Sequence, residues 1–195
     1  RTTIAAETGR LGASKALVLA TPQQCDAALE IAELLGPLAV GVFCKAAMHT
    51  PVDVTEAAIR HVSEVGADCQ IAIGGGSTTG LCKAIAYRTD LPQITIPTTY
   101  AGSEATPILG QTENGIKTTL SDPRALPEVI LYDAELIRNL PVAMTVTSAL
   151  NAMAHAAEAL YATDRTTETT ELAITGLRAF VDALPAVLAN PDDLD

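Results

Sequence analysis

Three consecutive glycines and a serine form the segment of this chain best suited to hold a ligand. The stretch GGGSTTGLCKAI, Gly74 to Ile85, directly follows the apolar run CQIAI. A strand that ends in glycines and turns into a helix capped by Ser77 presents unpaired backbone N–H groups and the positive end of a helix dipole. This pattern favours an anion, phosphate above all. The alternative is a turn whose glycines only let strand and helix pack closely.

The glycine stretch does not match the commoner nucleotide-binding motifs. GxGxxG requires a non-glycine residue between its first two glycines, and a P-loop requires Lys and then Ser or Thr directly after Gly80, where Leu81 and Cys82 stand. The sequence therefore favours neither the ordinary Rossmann fingerprint nor an ATPase.

A second polar segment, PTTYAGSEATP from Pro97 to Pro107, directly follows another apolar run. Its side chains Thr98, Thr99 and Ser103 place three hydroxyls on one loop. Together with the glycine stretch, this loop could hold a diphosphate and its ribose. The same residues are also common in turns and helix caps, and the motif alone leaves both interpretations open.

A third group lies on a predicted helix over residues 147–162. Asn151, His155 and Glu158 are spaced at i, i+4 and i+7, so they share one helix face. An amide and an imidazole on one face can act on the same ligand. A lone histidine in an alanine-rich helix can equally be a structural or surface group.

Strands and helices alternate around these segments. Strand signals are followed by amphipathic helix signals, and the predicted strands cover residues 15–20, 38–43, 69–73, 93–96 and 128–133. Continuous apolar strands that alternate with helices indicate a parallel sheet buried on both faces. Nucleotides bind at the carboxyl ends of such strands, which is where the glycine and threonine segments fall.

The pattern changes after Ile96. Residues 97–127 contain no convincing long helix and predict a long, functional loop. Beyond about Val142 only helix signals remain. We therefore expect an α/β dinucleotide-binding domain over residues 1–141 and the beginning of an all-helical active-site domain over 142–195. Because the chain starts at Arg1 without Met and stops just after a helical run, we expect it to be part of a longer polypeptide.

The composition limits the possible partners and compartment. A net charge of −11 and a pI near 4.6 argue against nucleic-acid binding, which requires Lys and Arg to neutralise phosphates. The four cysteines show no metal-binding spacing, and we expect free thiols. No apolar run reaches the roughly 18 residues of a membrane span. The sequence thus predicts a cytoplasmic protein without membrane contact.

Four ordered motifs, GGGSTTGLCK, PTTYAGSEATP, GIKTTLSDPRALPEVILYDAEL and TSALNAMAHAAEALYA, resemble the iron-containing alcohol dehydrogenase family, most closely its maleylacetate reductase branch. The resemblance covers nearly the whole chain. It implies a dehydroquinate-synthase-like fold, with a nucleotide-binding α/β domain, a helical domain, and the active site in the cleft between them.

The resemblance assigns cofactor-binding roles to seven positions: Gly75, Gly76, Ser77, Thr98, Thr99, Ser103 and Lys117. The glycines and the serine match the pyrophosphate-binding positions, and the threonine pair matches cofactor contacts, with Ser103 in the same loop. The lysine matches one that lies near the nicotinamide ribose in relatives. His49 also matches a histidine common in this branch, and we interpret it as a structural or cofactor-proximal loop position.

The metal site of the family is altered in this chain. Metal-dependent relatives carry an Asp and a His four residues apart on the first helix of the second domain, and two later histidines complete the site. Here His155 matches the His, but Asn151 replaces the Asp. A neutral amide is a weaker ligand for a divalent cation than a carboxylate. This replacement and Gly80, which stands where the alcohol dehydrogenases have an Asp, imply the metal-independent reductase branch.

The residues after the second predicted strand bear on the cofactor. Relatives often carry an acidic residue there, which bonds the ribose hydroxyls and repels a 2′-phosphate. Cys44 and Lys45 stand there in this chain. We therefore expect NADPH to be accepted at least as readily as NADH.

The reaction implied by the resemblance is reduction of 2-maleylacetate, a small dicarboxylate, to 3-oxoadipate during the breakdown of aromatic compounds. His155 is the candidate that polarises or protonates the substrate, with Asn151 as its orienting partner, and relatives suggest a homodimer. Two alternatives remain: a metal-dependent alcohol or polyol dehydrogenase of the same family, and a nucleotide-binding module without catalysis.

Overall fold

The computed structural model describes residues 1–138 and 140–190. Internal contacts divide the chain into two compact units. The first contains residues 1–98 and 102–133, and the second contains residues 99–101 and the described residues from 134 onward. The domain boundary expected near Pro141 stays a prediction.

The first unit is built on a parallel sheet of five strands, namely β1 (Ala16–Leu19), β2 (Ala39–Phe43), β3 (Cys69–Gly74), β4 (Gln93–Pro97) and β7 (Val129–Ile130). They lie side by side in the order β2-β1-β3-β4-β7. The predicted α/β class and parallel sheet are confirmed. The last strand is shorter than the predicted 128–133, and its two residues pair with Ile94 and Thr95 at the edge of the sheet.

Helix α1 (Ile4–Arg10) precedes β1. Three further helices connect β1 to β4 in turn, namely α2 (Cys25–Leu35), α3 (Val52–Val65) and α4 (Gly76–Thr89). A 3-10 turn at Pro22–Gln24 precedes α2, because Pro22 fixes a φ suited to the first helical turn. Gly36 ends α2 with a φ of 56°, a conformation that a residue without Cβ adopts at little cost. The short helix α1 was not predicted from the sequence.

The core lies on both faces of the sheet. Every residue of β1, β3 and β4 is buried, which requires cover from both sides. On one face, Leu17 and Leu19 of β1 pack in a cluster with Val62 of α3 and Ile85 of α4. The two-sided burial predicted from the continuous apolar runs is therefore confirmed.

The segment expected to be a long loop contains a β-hairpin. Its antiparallel strands are β5 (Ile108–Glu113) and β6 (Ile116–Ser121). The turn between them is Asn114-Gly115, whose φ angles of 51° and 78° are those of a two-residue hairpin turn. The loop prediction was wrong here, because β6 is almost entirely exposed and shows no apolar alternation, which left the Asn-Gly turn as the main hairpin signal.

The expectation of four free thiols was also wrong. Cys25 at the start of α2 and Cys44 just after β2 form a disulfide, with Cα atoms 5.5 Å apart. Both residues lie at the carboxyl edge of the sheet, since one helix begins there and one strand ends there. A separation of 19 residues gives no hint of this proximity. Cys69 and Cys82 are free and buried.

The second unit is helical. It contains α5 (Val142–Ala159) and α6 (Thr167–Ala189), and the ring of Tyr100 meets that of Phe180 edge-on at 6.2 Å. By length and composition alone, α6 could cross a membrane, a property that helices of soluble proteins can share. The expectation that no segment reaches this length was therefore wrong for α6.

Candidate functional site

A cavity of about 350 Å³ lies in the first unit beside the carboxyl end of β3. Four of the cofactor-binding residues expected from the resemblance line it, namely Gly76, Ser77, Ser103 and Lys117. The remaining lining residues are Met48, His49, Thr50, Gly80, Lys83, Ile108, Leu109 and Gly110. The structure thus brings the glycine stretch, the Ser103 loop and the hairpin together around one space.

The glycines at the mouth of this cavity serve different purposes. A Cβ at Gly74 would overlap Thr78 Oγ1 and come within 2.7 Å of Gln24 Oε1, and this residue has a φ of 151°. The protein itself therefore requires glycine there. A Cβ at Gly76 would meet nothing within 4 Å. That residue leaves open space, which a ligand can use to approach the backbone.

The first turn of α4 supplies backbone donors to the cavity. Gly75, not Ser77, is the N-cap of the helix, and its carbonyl accepts bonds from the amides of Thr78 and Thr79 at 3.1 Å each. The serine cap expected from the sequence was wrong by two positions. Gly76 and Ser77 are the first two helical residues, so their amides have no intrahelical acceptor and lie at the positive end of the helix dipole, and both residues line the cavity.

Ser103 and Lys117 complete the polar wall. Ser103 Oγ is buried and has no hydrogen-bond partner among the described residues. A buried hydroxyl without a partner is costly, and a ligand in the cavity that it lines would satisfy it. Lys117 is exposed on β6 and adds a positive charge to the same cavity. Amides, a hydroxyl and an ammonium together suit an anionic group carrying a polar sugar.

The threonine pair is not part of the cavity wall. Thr98 is buried and anchors two elements: its hydroxyl accepts a bond from Gln24 Nε2 at 2.9 Å, and its amide donates to Gly74 O at 3.1 Å. This residue therefore holds the glycine stretch in place. Thr99 groups with the second unit.

Cys44 and Lys45 lie elsewhere at the carboxyl edge. The Cys44 sulfur is bonded to Cys25 and is not available as a free thiol. Lys45 is exposed, and its Nζ lies 6.0 Å from the centroid of the Phe43 ring. Neither residue lines the cavity, so any contact with a cofactor would involve a different part of that molecule from the part in the cavity.

A strained turn borders the cavity opposite the glycines. His49 and Thr50 have φ angles of 65° and 48°, a region that a β-branched residue such as Thr rarely adopts. The carbonyl of Thr50 accepts a bond from Thr112 N at 3.1 Å, which ties the turn to β5. Sequence reasoning singled out His49 but missed Thr50. No local signal marks the threonine, because its conformation depends on a distant strand.

Lys83 is the buried cation of the site. It is 1% exposed, and its Nζ donates to oxygens of the Ser103–Ile108 segment. Burial lowers the pKa of Lys83 to about 8, and the Glu104 carboxylate opposes this change. Sequence reasoning missed this residue, because a lysine in a helix is ordinarily solvated.

The two catalytic candidates lie on α5 in the second unit. Asn151 and His155 are exposed, and His155 Nδ1 lies 3.6 Å from Glu158 Oε2. Within residues 1–138 and 140–190, no three His, Cys, Asp or Glu side chains come together in a group able to hold a metal ion. The catalytic roles of Asn151 and His155 stay predictions.

Residues 1–134 match the family described as "Iron-containing alcohol dehydrogenase". The chain is 63% identical over 190 residues to the maleylacetate reductase of Rhizobium sp. (strain MTP-10005), covering 97% of this chain and 54% of that protein. It is 53% identical over 188 residues to the maleylacetate reductase of Burkholderia cepacia, covering 96% and 53%.

A solved structure shows the same arrangement. The crystal structure of maleylacetate reductase from Agrobacterium tumefaciens superposes with a TM-score of 0.97 at 61% identity, covering 98% of this chain and 55% of that one. The chain spans about half the length of the relatives it matches.

Proposed function

Because the chain belongs to the iron-containing alcohol dehydrogenase family, we propose that its first unit binds a nicotinamide dinucleotide and that the full-length protein reduces 2-maleylacetate to 3-oxoadipate without a metal. The identity of 63% to a maleylacetate reductase supports this substrate over others of the family.

The cavity beside Gly76 is the observation that carries the cofactor assignment. The open Cα of Gly76, the free first-turn amides of α4 and the unpartnered hydroxyl of Ser103 fit a pyrophosphate with its adjoining ribose. The residues present therefore fit the cofactor that the family uses.

The residues of this chain would each have a separate task. The amides of Gly76 and Ser77 would bind the pyrophosphate oxygens, and Ser103 and Lys117 would bind near the nicotinamide ribose. The bound cofactor supplies a hydride. Orientation of the reactive ring by these contacts lowers the entropic part of the barrier.

The residues proposed to act on the substrate lie in the second unit. Hydride addition to a carbon–carbon double bond conjugated to a carbonyl builds negative charge on the carbonyl oxygen, which a positioned donor must stabilise. His155 is the candidate donor and proton source, with Asn151 as its orienting partner. A neutral amide at position 151 weakens any metal site that included His155, so the reaction proposed here proceeds by hydrogen bonding.

Cofactor preference, location and assembly follow from the same assignment. We propose that NADPH is accepted at least as readily as NADH, because Lys45 and Cys44 replace an acidic residue after β2. We also propose a cytoplasmic homodimer, in keeping with the enzyme class.

The open space at Gly76 provides a test of the cofactor site. Gly76→Val in the full-length protein should fold normally, since a Cβ there meets nothing, but the added methyl groups would occupy the ligand's approach. We expect the dissociation constants of NADH and NADPH, measured by fluorescence titration, to rise at least about tenfold with an unchanged unfolding midpoint. Unchanged affinity for both cofactors would contradict the assignment.

A further inference from the structure

The ammonium group of Lys83 lies at the junction of two walls of the cavity. It extends from α4, the helix that begins at Gly76, and reaches the segment from Ser103 to Ile108. That segment contains the 3-10 turn Ser103–Ala105 and the first residue of β5. One side chain therefore joins the helix that carries the glycine stretch to the loop and hairpin opposite.

All donors of this ammonium group are used within the protein. Nζ donates to the carbonyl oxygens of Ser103, Thr106 at 2.6 Å and Ile108 at 2.9 Å, and it lies 3.2 Å from Thr106 Oγ1. An ammonium has three N–H donors, and four oxygens surround them here. Lys83 borders the cavity but has no donor left for a phosphate or a ribose.

The surrounding charges favour this arrangement at neutral pH. Glu104 is 3% exposed, its charge raises the pKa of Lys83, and its Oε1 accepts a bond from the hydroxyl of Tyr132 at 3.3 Å. With burial included, the pKa of Lys83 is about 8, so the ammonium form predominates at pH 7. His49 and Lys117, the other cationic or titratable side chains of the cavity, carry no hydrogen bond to this segment among the described contacts.

We propose that Lys83 is a positioning residue for the cofactor: it fixes Ser103 and the start of the hairpin against α4, and so sets the width of the cavity without touching the ligand. This role rests on the proposed function of the cavity. Without the ammonium, three converging carbonyls would lose their shared donor and repel one another. Ser103 would then no longer be fixed in the wall of the cavity that Gly76 and Ser77 also line.

Two readouts on the full-length protein separate this proposal from the function on which it rests. Hydrogen exchange without any cofactor reports the loop alone, and titration with NADH reports binding. For Lys83→Met, which keeps the apolar stem, we expect amide exchange over residues 103–109 to accelerate at least about tenfold while β3 and β4 are unchanged. The dissociation constant for NADH should rise about tenfold or more, and kcat at saturating NADH should fall much less.

Three further variants sharpen the test. Lys15→Met removes an exposed lysine outside the cavity and should change neither readout. Lys117→Met should weaken NADH binding without accelerating loop exchange, as expected of a direct ligand. Thr106→Val removes one of the four acceptors and should accelerate loop exchange by a smaller factor than Lys83→Met. Because the Thr106 hydroxyl also bonds Ser103 O and Ile108 N within the loop, this variant supports the role only if NADH binding weakens together with faster loop exchange, and it serves as the test if Lys83→Met fails to fold.

Loop exchange that is unchanged in Lys83→Met and Thr106→Val would overturn the positioning role. If Lys83→Met weakens NADH binding but leaves amide exchange in the loop unchanged, Lys83 is a direct ligand, and the positioning role is also overturned. If loop exchange accelerates in Lys83→Met but the wild-type protein binds neither NADH nor NADPH, Lys83 still fixes the loop, and the proposed function is refuted instead.

Discussion

The hydroxyl of Thr50 occupies the space that a Cβ at Gly80 would need. Thr50 reaches this position from a turn with a positive φ, and Gly80 lies one helical turn beyond the glycine stretch on α4. The two residues therefore determine each other: the turn can approach the helix only because position 80 has no side chain. An Asp at position 80 would not fit beside Thr50 in this arrangement.

Gly80→Ala should destabilise the protein even though alanine favours helices. The new Cβ overlaps Thr50 Oγ1, and we expect a loss of about 1–3 kcal/mol in the free energy of unfolding, as for other overpacked sites. Urea denaturation of the full-length protein measures it. Gly9→Ala on α1, whose Cβ would meet nothing within 4 Å, is the matched control and should be neutral or stabilising. If the overlap is the cause, Gly80→Ala should cost less stability in a Thr50→Gly background than in the wild type, and an equal cost in both backgrounds would refute it.

Asp68 should make stability depend on pH below about 4. Burial raises the pKa of this carboxyl, but bonds from the amides of Lys15 and Ser14 and from the Ser14 hydroxyl outweigh it, so the pKa lies below 3.8. Because the pKa of Asp68 is lower in the folded state than in the unfolded state, its carboxylate stabilises the fold fully above the unfolded-state pKa. This stabilisation is lost as the pH falls through the folded-state pKa. Asp68 thereby anchors the start of β1 beside β3.

The variant Asp68→Asn should therefore unfold more easily at pH 7 by about 1 kcal/mol, a small value because solvent screens this partly exposed carboxylate. This difference from the wild type should shrink as the pH is lowered through 3.8 and below. Denaturation curves between pH 3 and pH 7 measure it, with the exposed Glu33→Gln as control. A difference that stays constant over this range would show that the carboxylate charge is not responsible.

Lys45 should govern the choice between the two cofactors. Lys45 is exposed just after β2. An acidic residue at this point of a dinucleotide-binding sheet would repel the 2′-phosphate of NADPH, whereas a lysine attracts it. For Lys45→Glu we expect the affinity for NADPH to fall at least about tenfold relative to that for NADH. Lys15→Glu makes the same charge change outside the site and serves as control. If the ratio of the affinity for NADPH to the affinity for NADH is the same in the wild type and in Lys45→Glu, this position has no role in cofactor choice.

The disulfide between Cys25 and Cys44 should stabilise the oxidised protein. Closing a loop of 19 residues restricts the unfolded chain and corresponds to about 3 kcal/mol. Cys44→Ser should unfold more easily by roughly this amount, and a reductant should lower the stability of the wild type to that of the variant. Burial raises the pKa of Cys69 to about 12, so alkylation before and after reduction should report Cys25 and Cys44. Labelling of these two cysteines before reduction would contradict the bond.

The fold was largely predictable from the sequence, because buried parallel strands have a strong signature. The apolar runs located β1 to β4 to within about two residues, and the glycine stretch located the carboxyl edge at which the cavity lies. The hairpin was missed, since β6 is almost entirely exposed and carries no apolar alternation. Its Asn114-Gly115 turn was the available signal.

The site was only partly predictable, for a physical reason. Gly76, Ser77, Ser103 and Lys117 belong to sequence motifs and were found, and all four line the cavity. The role of Lys83 depends on three carbonyls about 20 to 25 residues away, and that of Thr50 on Gly80. Contacts of this kind exist only after folding, and nothing in the local sequence distinguishes a buried lysine from a solvated one.

The central claim is most directly tested by oxidation of NADH and NADPH by the full-length protein with 2-maleylacetate as acceptor, before and after exhaustive chelation. The account predicts turnover with either cofactor, undiminished by chelation, and a KM for both cofactors that is at least about tenfold higher in Gly76→Val. No turnover with 2-maleylacetate, combined with oxidation of a simple alcohol or polyol that requires added Fe²⁺ or Zn²⁺, would contradict the account and make the protein a metal-dependent dehydrogenase of the same family.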